Sequence, residues 1–178
     1  MMRAASHVLA AFLWLVLFGA LWRVTPFDII APHVALLVAL YLGASVRGQV
    51  WESTAASLVI GYLHDVIDGG PRFLGAFVLA TVCLLARVAT ARLLVRGATF
   101  IMVFSWIGAL AAVALTWLMR VSVGDAAPSF AHEVPAALGS TVLTALMAPV
   151  VFRMGRWIDA RFARPQRERE ALRDGYLT

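Results

Sequence analysis

Lysine is absent from this chain: all fifteen basic residues are arginine. Cysteine occurs once, at Cys83, and charged residues make up only 14% of the 178 positions, where an ordinary soluble domain has about a quarter. Each shortage excludes something. The missing lysine reads as coding bias before it reads as function. A single cysteine excludes an intrachain disulfide, and with no CxxC or Cys/His ligand spacing it excludes a thiolate metal site as well. The shortage of charge is the most consequential. A soluble fold of this length needs a polar exterior, and 62% hydrophobic sequence cannot supply one, so lipid must solvate most of the surface. Catalytic signatures are missing too. There is no GxSxG, HExxH or phosphate-cradling loop, and the scattered Ser and His residues have no spacing that pairs a nucleophile with a base. The chain therefore reads as non-enzymatic, without cofactor or metal. A net charge of +5 would suit nucleic acid, but the arginines cluster at segment ends and in the C-terminal tail. That distribution suits anionic headgroups and topology setting instead.

What is present is a series of apolar runs. About 20 such residues cross the hydrocarbon core as a helix, and six segments qualify: residues 5–22, 29–46, 50–67, 73–95, 99–119 and 135–152. The first follows a minimal basic start at Arg3. No small-residue cleavage site follows it before Pro26, so it is expected to be an uncleaved first helix. In the second, Pro32 is expected in the first turn, where it is tolerated. Pro149 is expected to bend the end of the sixth. The connections are brief, except for residues 121–134. The fold expected is all-α and polytopic: a six-helix transmembrane bundle over residues 1–154 and a cytoplasmic basic, amphipathic tail over 155–178. Trp157, Ile158 and Phe162 lie among arginines in that tail, as in an interfacial helix, which Pro165 is expected to end.

Orientation follows from arginine placement. With alternating segments, one side holds Arg3, Arg47, Arg92, Arg96 and the tail. The other holds Arg23, Arg72 and Arg120, diluted by Asp28, Asp65, Asp68, Asp125 and Glu133. The first side is expected to be cytoplasmic, with both termini there. An even number of spans satisfies this and five do not.

Polar groups inside a span are costly and so become functional candidates. Glu52 and Arg87 lie about 28 Å and 24 Å down the two arms of one hairpin at 1.5 Å per residue. Their similar depth and opposite sign predict an ion pair, with Arg92 a competing partner; charge neutralisation and transport gating are its two readings. His64 and Asp68, four apart beside Asp65, share a helix face. They read as a polar helix end or as two ligands of a metal site that lacks a third. Small residues form stripes at Ser53, Ser57 and Gly61; at Gly108, Ala112 and Thr116; and at Ala136, Ser140, Thr144 and Ala148. Such stripes let helix backbones approach closely, either within the bundle or against a partner's helix.

The stretch PHVALLVALYLGASV from Pro32, its basic turn, and then GYLHDVIDGGPRFLGAF resemble the rod-shape-determining protein MreD. The resemblance is carried by Pro32, Gly61, Asp65, Gly69, Gly70 and Gly75 and covers residues 30–95; elsewhere it is topological. It implies an inner-membrane component of the bacterial cell-elongation complex, or elongasome. In that role the chain would bind the single-span protein MreC and help organise peptidoglycan synthesis and cell shape with MreB, RodA and RodA's transpeptidase. It also implies a fold similar to the substrate-binding subunits of ECF-type vitamin transporters. A small-molecule-binding transporter subunit is therefore the alternative.

Overall fold

The computed structural model describes residues 2–22, 31–45, 49–69, 71, 73–92, 97–123 and 130–175. Among these, every regular element is helical: α1 (Met2–Trp22), α2 (Val34–Ala44), α3 (Val50–Asp68), α4 (Leu74–Arg92), α5 (Ala98–Val123) and α6 (Phe130–Gly175). Four stretches are long and apolar enough to cross a membrane: Ala4–Leu21, Leu74–Arg92, Ala98–Ser122 and Val134–Arg161. All of them turn large apolar side chains outward, such as Leu9, Leu13 and Leu17 on α1, Leu85 and Val88 on α4, Val103 and Ile107 on α5, and Val142 and Leu146 on α6. A water-soluble monomer does not expose apolar surface on this scale. The chain is an all-α membrane protein.

The bundle is organised around α2. Every residue from Val34 to Gly43 is buried, and the helix touches all five others. A helix that is hydrophobic all round is a core helix, which is why VALLVALYLG has no polar face. Glycines let its neighbours close in. A Cβ at Gly43 would meet the Cys83 carbonyl of α4, one at Gly108 would meet Leu40, and one at Gly155 would meet the Tyr41 ring. Helix α2 has 11 residues, about 16 Å at the usual rise. It is shorter than the expected segment 29–46, and Pro32 lies before the helix instead of within its first turn. A proline there removes a donor and restricts the residue preceding it, so the helix starts after it.

Helices α3 and α4 form the most extensive pair, an antiparallel hairpin, with α5 and α6 next. Gly69 ends α3 in the left-handed conformation, φ +70°, a C-cap that glycine adopts without a Cβ penalty. Helix α6 departs most from expectation. It runs through the boundary expected at 154–155, and Gly155, Ile158 and Asp159 are buried like the residues before them. Nor does Pro165 end it, since the helix is assigned to Gly175. Proline removes one backbone bond, but the Arg, Glu, Ala and Leu residues after it are good helix formers. The long loop expected at 121–134 narrows, because α5 extends to Val123 and α6 begins at Phe130.

Candidate functional site

Asp65 sits in the last turns of α3 and is 8% exposed. Its carboxylate faces the start of α4. The Gly75 N–H donates to both carboxylate oxygens, at 2.9 and 3.0 Å, and the Ala76 N–H donates to Oδ2 at 3.4 Å. The first N–H groups of any helix lack partners within the helix, and a side-chain oxygen at the N-cap normally takes them. Here that position is held by Phe73, which has no such oxygen and a φ of +70°. Asp65 caps α4 from the neighbouring helix instead, where its charge also meets the positive end of the α4 dipole.

The two glycines make the approach feasible. A Cβ at Gly75 would strike Asp65 Oδ1, and a Cβ at Gly61 would strike the backbone of Gly75 and Ala76. Gly61, Asp65 and Gly75 are thus three parts of one junction, with Gly69 shaping the turn between its arms. Gly70 lies outside the described residues. The stripe continues down α3: Ser53 and Ser57 are buried, and the Ser57 hydroxyl donates to the Ser53 carbonyl at 2.9 Å. Ala112, Ser140 and Thr144 are buried too. Thr144 Oγ1 accepts from the His33 N–H at 2.9 Å, and Ser140 Oγ lies 3.5 Å from His33 Nε2. All three stripes face the interior of the bundle.

Beside the junction lies a partly open cavity of about 580 Å³. Its depth is apolar, formed by Ala35 and Leu36 of α2, Val78 and Leu79 of α4, and Ala109, Ala112 and Val113 of α5. Most of its polar groups lie toward helix ends, His33, His64, Asp65, Asp68, Trp117 and Arg120 among them, with Thr116 further along α5. His64 Nδ1 stands 3.3 Å from Asp68 Oδ2. Among the described residues no three His, Cys, Asp or Glu side chains converge as a metal site would require.

Glu52 and Arg87 are both half-buried, near the opposite end of the α3–α4 hairpin. Arg87 Nη1 donates to the Ser45 carbonyl at 3.4 Å, so the guanidinium meets the carbonyl end of α2. At this end lies a second polar centre. Asp159 of α6 is 7% exposed. Its Oδ2 accepts from the Tyr41 hydroxyl at 2.7 Å, and its Oδ1 lies 2.9 Å from His7 Nε2. The Ser45 hydroxyl is 3.5 Å from Oδ2. The carboxylate therefore ties α1, α2 and α6 together. The expected interfacial helix of the cytoplasmic tail put Asp159 outside the bundle, whereas it is buried within it. A signal was present: Thr144, Ala148, Phe152, Gly155 and Asp159 continue one three-to-four-residue spacing, which places Asp159 on the packed face.

The chain matches no family model, no curated protein and no solved structure.

Proposed function

We propose that the chain is a non-enzymatic, MreD-type subunit of the bacterial cell-elongation complex, which binds MreC in the inner membrane and helps organise peptidoglycan synthesis. The observation that carries this reading is the α3–α4 junction. Gly61, Asp65 and Gly75, which carry the sequence resemblance, converge on one helix-capping contact. At this contact each residue type has a physical reason: the glycines admit the carboxylate, and the carboxylate caps the helix. A rigid, internally packed bundle is also what a scaffold requires, because partner binding costs least when the surface is pre-organised.

In this reading all six helices cross the membrane, with both termini cytoplasmic, in a fold of the ECF substrate-subunit kind. The course of α2 supports six crossings. Its first turn adjoins His33, Thr144 and the cavity, and its last adjoins Asp159 and Arg87. It therefore runs alongside α6 from the level of Thr144 to that of Asp159, a course in keeping with a crossing. The test is co-purification with MreC after solubilisation in mild detergents, together with cell shape after deletion. Recovery of MreC and loss of rod shape are expected. Failure to recover MreC across several detergents, with normal rods after deletion, would overturn the reading.

A second reading is favoured by the cavity. At about 580 Å³ it falls within the range of about 300–1,000 Å³ that takes small molecules, as a transporter's binding subunit would need.

A further inference from the structure

We propose that the cavity between α2, α4 and α5 is a binding site for a single apolar chain bearing a polar head of zero net charge. The proposal deepens the small-molecule reading of this cavity and is independent of the cell-elongation reading.

Three observations carry it. The first is polarity. The inner wall is built from Leu36, Leu79, Ala109 and Val113, while polar residues such as His33, His64, Asp68 and Arg120 stand at helix ends. Such a gradient matches an amphiphile, with its chain inward and its head at the helix ends. The second is that this volume cannot stay empty without loss. Wall atoms facing a void forfeit their dispersion contacts, and water needs several polar partners that the inner wall lacks. The surrounding bilayer holds apolar chains at high concentration, and one of them fills the space without breaking hydrogen bonds. The third is the mixed sign of the rim. Arg120 stands on the same lining as Asp68, so a head of either single sign meets a like charge. A zwitterionic or hydroxyl-bearing head meets both signs favourably, and the Trp117 ring adds the amphipathic surface typical of the headgroup level.

One acyl chain of a phospholipid such as phosphatidylethanolamine, lodged in the cavity beneath its zwitterionic head, and a free monoacylglycerol both present this chemistry. The full chain is purified, reconstituted into vesicles of phosphatidylglycerol and irradiated with a monoacylglycerol carrying a mid-chain diazirine. Labelled peptides are then mapped by mass spectrometry. Saturable labelling of residues 33–36 and 109–117 is expected, with only background labelling around lipid-facing Leu13 and Val142. Unlabelled monopalmitoylglycerol should displace the label at a concentration about tenfold below that needed for palmitate, a difference of about 1.4 kcal/mol. Val113→Trp, which fills the cavity, should remove the saturable component. Should that variant fail to fold, competition on the natural chain decides alone. Displacement by added phosphatidylethanolamine identifies the bilayer as the source; resistance to it identifies the free amphiphile. Labelling of cavity peptides that is no stronger than at Leu13, or that no competitor displaces, overturns the proposal. Palmitate competing as well as the neutral amphiphile overturns the assignment of the head. MreC co-purification is read separately, so failure of either result leaves the other standing.

Discussion

Asp65 does what an N-cap residue does, but from another helix, and that makes its contribution measurable. Hydrogen bonds to a charged group contribute about 1.5–3 kcal/mol. Asp65→Ala removes the acceptor of the Gly75 and Ala76 N–H groups. Thermal unfolding in detergent should show a loss of that size. Asp65→Asn retains one acceptor oxygen and should lose less. Gly75→Ala should resemble Asp65→Ala, because its Cβ takes the space of Oδ1. An Asp65→Ala protein as stable as the parent would refute the capping role. Asp159 poses a different problem, a carboxylate buried among three helices with His7 and Tyr41 at bonding distance. Removing one partner of a buried charge is destabilising even where the pair itself contributes little net. Single variants therefore overstate the contact. A double-mutant cycle on His7→Ala and Asp159→Ala should return a coupling of about 0.5–3 kcal/mol, and a coupling of zero would show that the two groups act independently.

At the scale of elements, α6 is the lesson. Truncation after residue 152 removes Ile158 and Asp159, and with them the link that the Asp159 carboxylate makes from α6 to α1 and α2. Truncation after residue 165 removes none of these. Membrane-inserted yield, measured by fluorescence-detected size exclusion, should collapse for the first and stay near the parent for the second. Equal yields would mean that the buried end of α6 carries no stability. A boundary at 154–155 is expected from the sequence because Arg153 and Arg156 interrupt the hydropathy. Hydropathy averages over the whole helix circumference, whereas burial follows one face. Both arginines are exposed while Gly155, Ile158 and Asp159 point inward, so the mean falls although the packed stripe continues. The same distinction explains what was legible elsewhere. The existence of six helices follows from the lengths of the apolar runs, and the inward stripes at Ser53, Ser57, Ser140 and Thr144 from their spacing, both of which a sequence displays directly. The cavity and the His7–Tyr41–Asp159 centre bring together residues more than 100 positions apart, and no local pattern encodes such meetings. The Asp65 junction was half legible: the residues were visible, but their geometry was not.

For the whole molecule, the decisive property is how the chain alternates between the two ends of the bundle. Ala5, Gln49 and Gly97 are exposed near one end, and Asp68 and Ser122 near the other. The single native cysteine is buried, and Cys83→Ala gives a background free of thiols. Cysteines introduced at Asp68 and Ser122 should react with a membrane-impermeant maleimide in intact cells, whereas those at Ala5, Gln49 and Gly97 should react only after permeabilisation. Ala5 and Gln49 together test α2. If α1 and α2 both cross, the two sites share a side; if α2 stops within the bilayer and returns, they react from opposite sides. A helix of about 16 Å cannot span a core of about 30 Å by itself. Burial on all sides removes that objection, because irregular backbone is tolerated at membrane depth where protein surrounds it. A shared side for Ala5 and Gln49 would therefore establish that a core helix, shielded from lipid by its neighbours, completes a crossing that its own length does not allow.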